Sequence, residues 1–272
     1  MNAWMQWKRK RILKREEKNG LPRIYAASVP GLKHDKKKEA CEDATTKTTI
    51  DAETAVLVVA DGVSSCRYGG KGARVAAAAA KKEIRLQLLD HPDPTKNPEA
   101  WMAALFAKVR RQLVRSADRL ACSIQDMGTT LLVGVYQKPV WIVAQVGDGG
   151  IVAKKGTNFE VVLAGRPQQQ ENWVIPLTAP RWFEDIQVKV VENPDWIAMF
   201  SDGLDRLVFD CQPGKKTLNE KRTMIFEKVF EKADSVNGDQ IVKQLLNVQS
   251  VDRLSSDDKS LAIAFRREGG AK

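Results

Sequence analysis

Residues 55–65 read AVLVVADGVSS, a short apolar run rich in β-branched residues that ends on Asp61-Gly62. Such a run is the pattern of a buried strand, and Asp-Gly calls for a turn after it. The strand thus carries a carboxylate to the end of a core element. A buried aspartate is costly unless it is hydrogen-bonded or holds a cation, so Asp61 needs partners from elsewhere in the chain. Acidic residues recur beside apolar strand-like runs at Glu42-Asp43, Gly147-Asp148, Ser201-Asp202-Gly203 and Asp257-Asp258.

Each acidic dipeptide alone is an ordinary turn. Together, at the ends of several strands, they form the donor set that hard divalent cations such as Mg²⁺ and Mn²⁺ prefer. Two such ions can acidify a shared water and stabilise an in-line phosphoryl displacement with no help from histidine or cysteine. That suits this chain, which has two histidines, His34 and His91, and four scattered cysteines with no CxxC pair. Structural zinc and a disulfide framework are not expected. The scarcity of histidine also argues against a Ser-His-Asp enzyme.

The net charge of +10 resembles a nucleic-acid signal until it is located. Residues 1–24 hold eight Lys/Arg against Glu16 and Glu17, so most of the excess sits in an N-terminal extension. Trp4, Met5 and Trp7 precede its basic run, a pattern suited to contact with a partner or an anionic surface. No specific nucleic-acid partner is expected for the body. No transmembrane run or secretory segment is found, and the expected compartment is cytoplasmic. The expected organisation is a basic extension over 1–22, one large domain over 23–268 and a tail over 269–272.

Strands are expected over 24–29, 45–51, 55–60, 186–191, 196–201 and 261–266. Residues 64–72 are expected as a loop, and the glycines at 69, 70 and 72 do not match a phosphate-binding spacing. Helices are expected over 73–89, 98–121, 218–233 and 239–248. Short β-rich runs between 129 and 163 predict one antiparallel meander, and 166–184 a polar surface insertion. Two helices followed by a meander exclude a simple alternating βαβ fold and leave an α+β domain.

Five blocks resemble the metal-dependent type 2C protein phosphatases, closest to the compact bacterial branch. They are Cys41-Glu42-Asp43-Ala44, Val59-Ala60-Asp61-Gly62-Val63, Gly128-Thr129-Thr130, Val146-Gly147-Asp148-Gly149 with Ser201-Asp202-Gly203, and Ser256-Asp257-Asp258-Lys259-Ser260-Leu261. The resemblance implies a four-layer α-β-β-α sandwich with two mostly antiparallel sheets. It implies hydrolysis of phosphoserine and phosphothreonine in proteins by attack of a metal-bridging water. Asp61 would bridge two Mg²⁺ or Mn²⁺ ions with the Gly62 carbonyl, Glu42 would bind one ion, and Asp202 and Asp257 the other. Asp43 would hold metal-bound water, Asp148 with Asp202 would form a third site, and Gly128-Thr129-Thr130 would support the site. A phosphoprotein substrate and a cognate Ser/Thr kinase are the implied partners.

Three departures from the family pattern stand out. Lys38 occupies the place of a phosphate-binding arginine, and lysine lacks the bidentate fork. Lys36 and Arg67 are further candidates for the substrate phosphate. Val63 replaces a histidine proposed as general acid, which leaves protonation of the leaving group to metal-bound water. Asp258 stands where many members have Asn. The segment between Asp148 and Asp202 is short for the family, which implies a flap reduced to residues 166–184. Lys38 and this reduced flap also admit another reading, a catalytically weak module that binds a phosphorylated partner.

Overall fold

The structure is a computed structural model describing residues 20–32, 34, 40–165, 174–212, 215–233 and 237–266. Residues 1–19 of the N-terminal extension, Lys36 and Lys38 lie outside the described residues. Strands β1 (Arg23–Val29), β2 (Ala44–Thr49) and β3 (Thr54–Ala60) precede two long helices, α1 (Gly69–Asp90) and α2 (Pro98–Arg119). Strands β4 (Leu131–Gln137), β5 (Val140–Val146), β6 (Gly150–Lys155), β7 (Asn158–Ala164), β8 (Gln187–Glu192) and β9 (Trp196–Phe200) follow. A hairpin of β10 (Phe209–Gln212) and β11 (Lys215–Leu218), helix α3 (Gly238–Leu246) and strand β12 (Lys259–Phe265) complete the order, with shorter helical turns between.

The strands form two five-stranded antiparallel sheets, ordered β1-β12-β9-β6-β7 and β2-β3-β4-β5-β8. All of β3 is buried because both faces of its sheet are covered, which explains its unbroken apolar sequence. Val56, Val58 and Ala60 meet the layer of α1 and α2. Leu57 and Val59, pointing the other way, meet Ile151, Met199 and Ala262 of the opposing sheet. The outer face of that opposing sheet packs Phe200 and Ile263 on Phe226, Val242 and Leu246. The result is the expected α-β-β-α sandwich. Each fully buried Val or Leu in these layers contributes about 1.5–3 kcal/mol.

The long helices have local causes. Alanines 76–80 have high helix propensity and let α1 approach the sheet closely. Pro98 starts α2 without losing an internal hydrogen bond, and the Asn97 side chain caps it by accepting the Ala100 N–H at 3.1 Å.

Four expectations need correction. Helix α1 begins at Gly69, so residues 69–72 are its first turn and not a loop. The 129–163 region is not one meander: β4 and β5 lie in one sheet, β6 and β7 in the other, and the chain crosses at Gly147-Asp148-Gly149. The helix expected over 218–233 starts late and is broken: Leu218 closes strand β11, and short helical segments begin only at Glu220. The described part of the insertion is not confined to the surface, because Leu177 and Trp182 pack into the core under α2.

Candidate active site

Asp61 is set by the backbone before its side chain does anything. Its N–H donates to Thr130 Oγ1 at 3.1 Å, and its carbonyl accepts from the Thr130 N–H and Thr129 Oγ1, both at 2.9 Å. Gly62 bridges to Thr129. The Gly128-Thr129-Thr130 block therefore clamps the end of β3, in the supporting role the resemblance implied.

Asp148 stands at the crossover between sheets. Gly147 and Gly149 adopt φ of +94° and +80°, conformations that side chains disfavour. Buried Gln145 grips the turn, its Nε2 donating to the carbonyls of Gly147 and Asp148 at 3.0 Å each. Asp185 Oδ2 accepts the Gly147 N–H at 3.0 Å. Asp202 follows β9. Carboxylate oxygens of Asp61, Asp148 and Asp202 lie within 4.8 Å of one another.

Asp43 joins this group through Ser201, whose hydroxyl donates to Asp43 Oδ2 at 2.7 Å and accepts the Ser260 N–H at 3.0 Å. Among the described residues, Asp43 Oδ1 is buried without a hydrogen-bond partner. Glu42 lies beside the first turn of α1: a Cβ on Gly70 would stand 2.9 Å from the Glu42 Cα, so only glycine permits this approach. Asp257 is exposed, and its carboxylate accepts the Asp258 N–H at 3.0 Å. Glu42 and Asp257 lie outside the trio of Asp61, Asp148 and Asp202. Arg67 is exposed, its guanidinium 5.1 Å from the centre of the Tyr68 ring.

The electrostatics are those of crowded anions. Burial pushes the Asp61 carboxyl well above the usual carboxylate range, and the charges of Asp43, Asp202 and Asp148 push it further. Asp148 is raised to about 8 by burial, then by Asp202 and Asp205, with Lys216 opposing. Burial lifts Asp43 to about 7 against the hydrogen bond from Ser201. Asp202 rises to about 6 through burial and the charges of Asp257 and Asp205. An oxygen-ligated cation would relieve this repulsion and give Asp43 Oδ1 a nearby polar partner. The residues therefore fit a hard divalent ion.

Sequence reasoning missed several contributors. Buried Asp258 accepts the Gly31 and Glu42 N–H groups, each at 2.6 Å, and lies 2.9 Å from His34 Nδ1. Asp205 pairs with Lys216 beside the carboxylates, and among the described residues one Asp205 oxygen is buried without a partner. Gln145 and Asp185 fix the Asp148 turn. Asp258, already singled out beside Asp257, and Asp205, three residues from Asp202, carried a usable signal, whereas Gln145 and Asp185 did not.

Among the described residues no helix is long and apolar enough to cross a membrane. The crystal structure of a bacterial serine phosphatase superposes with a TM-score of 0.67 at 15% identity, covering 92% of this chain and all 100% of that one. The serine/threonine phosphatase Stp1 from Staphylococcus aureus gives a TM-score of 0.65 at 16% identity, over 91% of this chain and 96% of its own. Serine/threonine-protein phosphatase 3 of Escherichia coli (strain K12) is 23% identical over 257 residues, 90% of this chain and 99% of the relative. The family model described as Protein phosphatase 2C matches residues 30–247. With the acidic blocks in order on two antiparallel sheets, the chain belongs to the protein phosphatase 2C family.

Proposed function

We propose that this chain hydrolyses phosphoserine and phosphothreonine in proteins with the help of two bound Mg²⁺ or Mn²⁺ ions, and a third at Asp148 and Asp202. The observation that carries this reading is the convergence of Asp61, Asp148 and Asp202 within 4.8 Å, in a chain of this family. Asp61 would bridge two ions with the Gly62 carbonyl beside it, Glu42 would complete one site, and Asp202 and Asp257 the other. When bound, the ions would acidify a water and offset the charge of the phosphate. Asp43, held by Ser201 through Oδ2, would orient the attacking water through its unpartnered Oδ1. Val63 has no proton to give, so the departing serine or threonine oxygen would be protonated by water. Arg67, with Lys36 and Lys38, would attract the phosphate. The catalytic unit is proposed to span 23–268 between a basic extension and a short tail, to work in the cytoplasm and to oppose a Ser/Thr kinase.

The test is hydrolysis of an aryl phosphate and a phosphothreonine peptide by the full chain with Mn²⁺. Chelation or Asp61→Asn should abolish both. Equal activity in Asp61→Asn would overturn the assignment. Tight phosphopeptide binding without metal-dependent turnover would instead assign a binding module.

A further inference from the structure

Helix α1 carries Lys71, Arg74, Lys81, Lys82 and Arg85. Its only carboxylate before Asp90 is Glu83, which is 8% exposed and accepts a hydrogen bond from Gln112. Lys71 and Arg74 lie near the N-terminus of α1, and its first turn has no acidic residue. The helix dipole disfavours cations there, so this arrangement does nothing for the stability of the helix. Arg74 donates to the Cys41 carbonyl and Arg85 to Thr48 Oγ1, both neutral acceptors, and among the described residues no carboxylate pairs with either guanidinium.

These side chains line a groove of about 520 Å³ between α1 and β2, with Thr45 and Thr46 on one wall and Arg74, Lys81, Lys82 and Arg85 on the other. Ala44, next to Asp43, is also part of the groove, so it opens beside the acidic loop of the candidate site. Strand β2 is the terminal strand of its sheet, and its outer edge is not paired with another strand among the described residues. An extended segment can lie along such an edge. From Arg74 to Arg85 the helix rises about 16 Å. That length matches about five residues of extended chain.

We propose that this groove binds an acidic stretch of the phosphoprotein substrate flanking the phosphorylated residue, and so sets substrate preference. The proposal rests on the phosphatase reading for its context but concerns residues that take no part in the hydrolysis. Charge complementarity selects the occupant: a partly exposed basic groove beginning at the phosphate-cleaving end attracts Asp and Glu of the same substrate chain. The attraction weakens as salt rises.

The experiment compares phosphothreonine peptides carrying a five-residue acidic or neutral flank, using the full chain and its Lys81→Glu/Lys82→Glu variant. Arg74 is left intact because it also holds the Cys41 loop. The wild type should favour the acidic peptide by about tenfold in kcat/KM, a preference that falls in high salt. The variant should show no preference, or the reverse. A milder Lys81→Ala/Lys82→Ala variant gives the same reading if charge reversal disturbs folding. No preference in the wild type, or one unchanged in both variants, overturns the proposal. Loss of DNA binding in the variants with the peptide preference intact also overturns it and assigns the stripe to nucleic acid. If the wild type cleaves no phosphopeptide, the phosphatase reading fails. The groove is then judged by fluorescence anisotropy of the unphosphorylated acidic peptide, which must bind the wild type and not the variant.

Discussion

Asp258 Oδ2 accepts the backbone N–H of Glu42 at 2.6 Å, tying the entrance of β12 to a candidate metal ligand 216 positions earlier. The other oxygen takes the Gly31 N–H, so one carboxylate holds two backbone segments. Asparagine offers one acceptor oxygen and must turn an NH₂ toward one of those donors. Asp258→Ala should cost about 2–4 kcal/mol of stability in urea unfolding, and Asp258→Asn roughly half as much. Both should weaken Mn²⁺ binding in calorimetry, because Glu42 loses its fixed position. Unchanged metal affinity in Asp258→Ala would show that Glu42 needs no such support.

Metal-free protein should become less stable as pH rises. Asp202, Asp43 and Asp148 have folded-state values near 6, 7 and 8, and Asp61 is raised as well. In an unfolded chain such groups titrate near 3.9. Between those limits the native state binds more protons than the unfolded state, so stability is full at low pH and is lost as pH rises through about 6 to 8. The Tm of chelator-treated protein should fall by about 3 °C or more from pH 6 to 8.5, and Mn²⁺ should restore more stability at the higher pH. A flat or rising Tm for the chelated protein would contradict the crowding of these carboxylates.

The strand that delivers Asp61 was legible because both its faces are buried, leaving an unbroken apolar run in front of the acid. The long helices were legible through alanine content and a proline start. The sheet crossover was not, since Gly147-Asp148-Gly149 has the composition of a hairpin turn whether the next strand returns to its neighbour or enters the opposing sheet. Lys215–Leu218 is too short to show a period and runs directly into helix-forming sequence, which hid β11. The role of Asp258 left no local trace either: a carboxylate that accepts backbone N–H groups from distant segments is chosen by tertiary structure, and any turn aspartate looks the same. The acidic blocks pointed to Asp61, Asp148 and Asp202, which the fold brings together, while the groups that hold them in place became visible only in the fold.

Thr130 and Thr129 support Asp61 unequally, which gives an ordered prediction. Thr130 Oγ1 is the acceptor for the Asp61 N–H, so Thr130→Val leaves a partly buried donor unsatisfied. Thr129 Oγ1 donates to a carbonyl that also accepts from the Thr130 N–H, so Thr129→Val leaves that carbonyl paired. Thr130→Val should cost about 1–3 kcal/mol and Thr129→Val less. Phosphatase kcat should fall in the same order, by about tenfold for Thr130→Val, since a small displacement of a reacting centre is costly. Denaturant unfolding and steady-state kinetics on the two variants check the ranking, and a larger effect at Thr129 would reverse it.

Lys216 supplies positive charge beside the carboxylates: it pairs with Asp205 and opposes the rise of both Asp148 and Asp202. Replacing it with methionine keeps much of the stem and removes the ammonium. The site then becomes more anionic, which has opposite consequences for the two states of the protein. Metal-free Lys216→Met should be less stable at pH 8, because the acidic cluster and Asp205 lose a counter-charge. Divalent ions should bind more tightly, by roughly three- to tenfold, since a cation no longer competes electrostatically for the same carboxylates. The gain should shrink toward pH 6, where protons occupy the cluster in place of metal. Calorimetric titration with Mn²⁺ at both pH values, alongside the Tm of chelated protein, checks all three. Weaker Mn²⁺ binding at pH 8 would mean that Lys216 acts by positioning Asp205 rather than by its charge.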